Sequence, residues 1–143
     1  MILYLDTSAL VKLYAEEAGS GLVRQRVRDS DLIATSLMAY AEARSALARK
    51  GRSREISRPV LSQCKREFER DWLRLHRLPI DETLIRKAGQ LAEEYALRAL
   101  DALHLATADL MQITLRDAVT FACFDDALNK AAEARGLALL VRH

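Results

Sequence analysis

The sequence predicts an α/β protein, a parallel β-sheet with helices on both faces. Two observations carry this reading. Short apolar runs recur along the 143-residue chain and alternate with longer stretches of helical periodicity, sometimes two between successive runs. The runs are continuously apolar rather than alternating, as strands buried on both faces must be.

Residues 2–5 form the first strand, an apolar run that stops at Asp6. Residues 8–15 read as a short helix with Leu10, Val11 and Tyr14 on one side. A second helix covers 20–29, after the Gly19-Ser20 break. Residues 32–35 are the second strand. Ser36 then caps a helix rich in Ala and Leu that runs to about Lys50, where Gly51 ends it. The next helix reaches about Leu73, with Pro59 near its start or breaking it. Residues 75–80 supply a third strand, with Pro79 near its end. Asp81 opens a helix to about Leu97, and Asp101 opens another to about Ile113. Residues 118–124 are the clearest strand. Residues 125–135 are helical, Gly136 stops them, and 137–141 form the last strand.

No repeat, low-complexity tract or domain boundary interrupts the pattern, so 1–143 reads as a single domain. Half the residues are hydrophobic and 29% are charged, the balance of a globular protein. No apolar run approaches the ~20 residues of a membrane helix, and the first residues lack the basic head and long apolar centre of a signal peptide. A cytoplasmic protein with no membrane partner is expected. Cys64 and Cys123 have no metal-motif spacing and are expected to be reduced and inert.

The net charge of +2 is unevenly placed. Residues 44–77 hold eleven of the 22 basic residues against four acids, a local excess of seven. Such a stripe suits phosphates, an acidic protein partner, or simply a solvated helix surface. No glycine-rich dinucleotide fingerprint follows the first strand, and there is no P-loop.

Ligands of an open parallel sheet bind beyond the carboxyl ends of the strands, at the point where strand order reverses. Asp6 and Asp125 each end a predicted strand, so neighbouring strands would bring both to one rim. Glu42 lies in the helix after the second strand, and Met38, Ala39, Ser45 and Ala46 give it no local ion pair. A carboxylate there needs another cation or solvent. Asp101 opens a helix that can project toward the same rim. Taken singly, Asp6, Asp101 and Asp125 are also good helix N-caps, and Glu42 could be an ordinary surface acid. Taken as a set, converging carboxylates repel one another, and a divalent cation removes that penalty. Oxygen donors without a His/Cys cluster point to Mg²⁺ or Mn²⁺ rather than zinc, and such a site suits phosphodiester hydrolysis. Thr7 and Ser8 would orient a carboxylate or water, or bond the first helical turn.

The residues 2–10, ILYLDTSAL, resemble the opening of a PIN domain. AEARSAL at 41–47 resembles its second motif, centred on Glu42. LDALHLATA at 100–108 resembles the third, and FACFDDAL at 121–128 the fourth. All four occur in order along the chain, and the length is similar to that of VapC-type toxin ribonucleases of type II toxin–antitoxin systems. The resemblance implies a Rossmann-like sheet of about five parallel strands and an Mg²⁺- or Mn²⁺-dependent endoribonuclease. It also implies a homodimer and a cognate antitoxin partner. By motif it carries over Asp6, Glu42, Asp101 and Asp125 as the catalytic and metal-binding acids, with Asp6 and Asp101 as direct ligands. Ser8, Thr7 and Cys123 then support them.

Cys123 departs from the family's usual Ser or Thr, and its weaker hydrogen bonding predicts a looser Asp125. Asp126 is a neighbouring acid that the motif alignment passes over, and Asp109 reads as an exposed helical charge. His104, one turn after Asp101, reads as a packed or surface histidine rather than a general base, and Trp72 and Tyr40 as core or interface packing rather than base-stacking residues. Two other functions remain open. One is a catalytically weak or inactive PIN-like module that binds RNA or protein. The other is a phosphotransfer or receiver domain, which also places an Asp at a strand end.

Overall fold

A computed structural model describes residues 1–142. Its strands are β1 (Ile2–Leu5), β2 (Leu32–Ser36), β3 (His76–Leu78), β4 (Val119–Ala122) and β5 (Ala138–Leu139). They form one sheet in the order β3-β2-β1-β4-β5, and every neighbouring pair is parallel. The connecting helices are α1 (Thr7–Val11), α2 (Ser20–Arg28), α3 (Ala39–Arg52), α4 (Arg58–Trp72), α5 (Glu82–Tyr95), α6 (Ala99–Leu115) and α7 (Asp126–Ala134).

The alternation of side chains along β1 divides the core in two. Tyr4 faces one layer, with Leu105 and Met111 of α6, Leu84 and Leu91 of α5 and Leu128 of α7. Leu3 and Leu5 face the other, with Leu10 of α1, Val23 of α2, Leu47 of α3 and Phe68 of α4. Each fully buried side chain of this size stabilises the fold by roughly 1.5–3 kcal/mol. Apolar packing on both faces explains why the central strands read as unbroken hydrophobic runs. Tyr40 and Trp72 pack with Phe68 in an aromatic cluster, with ring centroids 5.3–5.6 Å apart. Both cysteines are buried and unbonded to each other.

Strand order reverses beside β1. The chain steps from β1 to β2 on one side and later returns to β4 on the other. The Asp6 N–H continues the ladder to the Ala122 carbonyl at 3.1 Å, so the residues after β1 and β4 leave the sheet side by side. Thr35 ties in the third strand by donating to the Leu5 carbonyl at 2.7 Å.

Several local expectations change. The helix expected over 8–15 is regular only from Thr7 to Val11. Ser36 ends β2 rather than capping α3, whose N-cap is Met38, although the Ser36 hydroxyl accepts from the Met38 N–H at 3.3 Å. Gly51 does not stop α3, which continues to Arg52. A Cβ at Gly51 would lie 2.7 Å from Leu61 Cδ2, so this glycine serves close packing of α4 on α3. Pro59 sits in the first turn of α4, where a missing N–H costs nothing. Gly136, at φ +81°, ends α7 as expected. Among the described residues, no helix is long and apolar enough to cross a membrane.

Candidate functional site

A cleft of about 920 Å³ opens at the carboxyl edge of the sheet, where β1, β2 and β4 give way to α1, α3 and α7. Asp6, Glu42, Asp101 and Asp125 all line it, with Thr7, Ser8 and His104. Four acids separated by as many as 119 residues of chain therefore share one cavity.

Asp6 is 5% exposed and is the N-cap of α1. Its Oδ1 accepts from the Ala9 N–H at 2.9 Å and from the Ser8 hydroxyl at 2.7 Å. Burial raises its pKa above the ordinary carboxylate value. The His104 ring, the Ala9 N–H, Ser8 and the Cys123 thiol counter this only in part. A charged Asp6 is thus under-compensated by the protein's own groups, the condition a cation relieves.

Glu42 finds the partner that its own helix lacks. His104 of α6 places Nε2 2.9 Å from Glu42 Oε1, and the Thr7 hydroxyl donates to the same oxygen at 2.6 Å. Burial pushes the Glu42 pKa up, but these two hydrogen bonds outweigh it and leave the carboxyl below its usual range. The other His104 nitrogen, Nδ1, is 2.8 Å from the Tyr4 hydroxyl inside the core. His104 is 2% exposed and links Tyr4, Thr7 and Glu42, so it is a packed residue that also reaches the cleft. Residues 102–109 of α6 are all buried, His104 among them.

Asp101 is not an N-cap. Arg98 holds that position, and Asp101 stands in the first turn of α6 with Oδ2 3.2 Å from the Arg98 guanidinium. Asp125 does cap α7, accepting from the Leu128 N–H at 2.8 Å. Its own N–H reaches Cys123 Sγ at 3.2 Å, and Asn129 ties down the preceding loop by donating to the Cys123 carbonyl at 2.9 Å. These backbone and helix-cap bonds hold Asp125 beside Cys123. The Cys123 thiol is buried against Asp6 and Asp125; burial and the Asp6 charge push its pKa far up, leaving it protonated.

Asp109, expected to be exposed, is 3% exposed. Its Oδ2 meets Lys87 of α5 at 2.9 Å and Arg135, at the end of α7, at 2.6 Å. This triad braces the helices on one face of the sheet and takes no part in the cleft.

By donor type the cleft fits a hard divalent ion, since carboxylates with hydroxyl support are what such ions bind. The arrangement is less complete than the donor list. Among the described residues, no group of three or more His, Cys, Asp or Glu side chains is positioned to hold a metal ion as it stands. Glu42 Oε1 is engaged by Thr7 and His104, and Asp101 leans to Arg98. Folding brings the four acids to one cavity, but the closer convergence expected from the sequence is not reached.

A parallel sheet with acids gathered at its switch point, two of them starting helices, defines a PIN-type α/β protein. The chain belongs to the PIN domain family, whose model matches residues 3–134. Ribonuclease VapC45 of Mycobacterium tuberculosis is 34% identical over 136 residues, covering 94% of this chain and 92% of that protein. Ribonuclease VapC46 of the same species is 34% identical over 139 residues, covering 96% and 95%. Among solved structures, FitAcB from Neisseria gonorrhoeae has a TM-score of 0.68 at 20% identity, covering 96% of each chain. VapBC2 from Rickettsia felis, bound to a promoter DNA fragment, has a TM-score of 0.66 at 16% identity, covering 97% of each. These two share the fold.

Proposed function

We propose that this protein is an Mg²⁺- or Mn²⁺-dependent endoribonuclease, the toxin of a VapBC-type toxin–antitoxin pair. The observation that carries the reading is Asp6. It is a buried carboxylate with no Lys or Arg partner among the described residues, on the wall of a cleft shared with the other three motif acids. The names of the VapC relatives support the choice of RNA as substrate.

Asp6 and Asp101 would hold the ion directly, with Glu42 and Asp125 completing the acidic set. A bound divalent ion supplies Lewis acidity toward the phosphoryl oxygen and lowers the pKa of water. The protein's own part is positioning. Ser8 fixes the Asp6 carboxylate, while Thr7 and His104 fix that of Glu42. Asp125, anchored as a helix cap, holds the far wall. No Ser, Cys or His needs to act as a covalent nucleophile.

A cognate antitoxin is the expected protein partner and a homodimer the expected assembly. The test is cleavage of RNA by the purified protein with Mg²⁺ or Mn²⁺. Cleavage should stop with chelator and in Asp6→Asn while the fold persists; equal cleavage in chelator would refute the reading.

One observation favours a second reading, a catalytically weak or inactive PIN-like module that binds RNA or protein. The acids share the cavity without closing into a ligand cluster. Calorimetric Mn²⁺ binding separates the two. An enzyme loses tight binding in Asp101→Asn, and an inactive scaffold has no acid-dependent site to lose.

A further inference from the structure

We infer that Arg49 is the residue that grips the RNA backbone beside the cut, holding a phosphate next to the scissile one. The inference rests on the ribonuclease reading and deepens it.

Three cations line the cleft: Arg49, Lys50 and Arg98. Lys50 is tied to Glu17 at 2.7 Å and to Glu55 at 3.2 Å. Arg98 is engaged by Asp101 at 3.2 Å. Arg49 is exposed and, among the described residues, has no carboxylate partner. It is thus the cation of the cleft whose charge is not already answered. A polyanion approaching a cavity rich in carboxylates is repelled unless such a cation meets it.

The placement along α3 is specific. Glu42, Ser45 and Arg49 follow the spacing that keeps side chains on one helix face, and all three line the cleft. Seven residues of helix separate Glu42 from Arg49, roughly 10 Å along the axis. Arg49 therefore lines the same cleft about two helical turns beyond Glu42, on the side away from the start of α3. Between them Ser45 and Ala46 present only small side chains, which leave the helix surface open to a strand of nucleic acid. A guanidinium matches a phosphate in two parallel hydrogen bonds, which a lysine does not reproduce. The bland alternative is a cation completing the C-terminal turn of α3, but Lys50 and Arg52 stand in that same turn.

The test uses the Asp6→Asn protein as parent, so that RNA stays intact, with a short labelled single-stranded RNA in Mg²⁺ over a range of salt. Adding Arg49→Ala should weaken binding about tenfold and flatten the plot of log affinity against log salt by about 0.7, one phosphate contact on a single strand. Arg49→Lys should keep the slope and recover part of the affinity. Arg52→Ala, an equal loss of charge on the same helix, should change affinity by less than about twofold. With Asp6 intact, Arg49→Ala should raise KM and leave kcat nearly unchanged. The assignment is overturned if Arg49→Ala and Arg52→Ala weaken binding equally, or if Arg49→Ala has no effect. It is also overturned if Arg49→Ala spares RNA binding and only weakens inhibition by the antitoxin, which would make Arg49 a protein contact. Wild type that cleaves no RNA in Mg²⁺ or Mn²⁺, with a parent that binds none, removes the ribonuclease reading itself.

Discussion

His104 Nε2 lies 2.9 Å from Glu42 Oε1, joining two helices that pack on opposite faces of the sheet. An ionised carboxylate can only accept, so Nε2 carries the proton in this bond. The Thr7 hydroxyl donates to the same oxygen and lies 3.1 Å from the same nitrogen, closing a three-membered polar cluster at the cleft wall. Nδ1 anchors the ring to Tyr4 in the core. Glu42 is thus oriented from the interior, through a side chain 62 residues away in the chain.

Removing that anchor should harm both stability and cleavage. His104→Ala empties a buried site and leaves Tyr4 without its ring partner, for an expected cost of about 2–4 kcal/mol. Cleavage per folded molecule should fall about 10–100-fold as Glu42 loses its orientation. Tyr4→Phe removes only the hydroxyl and should cost about 1 kcal/mol, with a smaller effect on rate. Urea unfolding alongside RNA cleavage checks both.

Asp6→Asn should stabilise the metal-free protein while abolishing cleavage. Burial raises the folded-state pKa of Asp6. The folded state therefore holds this proton more tightly than the unfolded chain, and stability present below the unfolded pKa is lost as pH rises through the folded one. Asparagine keeps the cap on the Ala9 N–H without the buried charge. In chelator at pH 7 its Tm should rise by about 3 °C, what roughly 1 kcal/mol is worth in a domain of this size. Mn²⁺ should raise the Tm of the wild type and not of the variant. Scanning calorimetry with and without chelator reads both outcomes.

Asp109→Asn should damage the fold and spare the chemistry. It removes the shared partner of Lys87 and Arg135, for a cost of about 2–4 kcal/mol, discounted because both cations keep some solvent. Specific activity at low temperature should stay within about twofold of wild type, since surviving folded molecules have an intact cleft. A parallel fall in activity and stability would place the triad in the working site instead.

Gly19→Ala should act at a distance in sequence. Gly19 has φ +93°, and a Cβ there would lie 2.6 Å from the Phe124 ring. Strain plus displacement of the ring predicts a loss of about 1–2 kcal/mol. Because Phe124 lines the cleft, KM should rise as well. Gly51→Ala is the contrast. Its close neighbour is the mobile end of Leu61, and alanine favours the helix by about 1 kcal/mol, so the two effects should nearly cancel.

The sheet was legible because its strands must be apolar on both faces, and residues 2–5, 32–35 and 118–124 have no other economical explanation. The acids at strand ends were legible from topology alone, since Asp6 and Asp125 had to leave the sheet together. What sequence could not deliver was pairing between helices. Glu42 lacks a partner within its own turns, and Asp101, the acid one turn before His104, pairs with Arg98 instead; only the fold reveals that Glu42 and His104 answer each other. Asp109 looked solvated for the same reason, its two cations being 22 and 26 residues away. Gly51 misled because a glycine chosen for close helix packing reads like one chosen to stop a helix. Asp101 misled because an acid in the first turn resembles an acid just before it.

Asp6 and Asp125 each carry two duties, since the oxygens that start α1 and α7 belong to the same carboxylates that face the cavity. A lineage that abandoned nuclease chemistry would still be held to these two acids by the roughly 1 kcal/mol each gives to a helix start. Their survival in a relative therefore testifies to architecture as much as to catalysis. Glu42 and Asp101 stand in a first turn but cap no helix, so on the proposed nuclease reading their loss or retention is the better guide to which members of the family still cut.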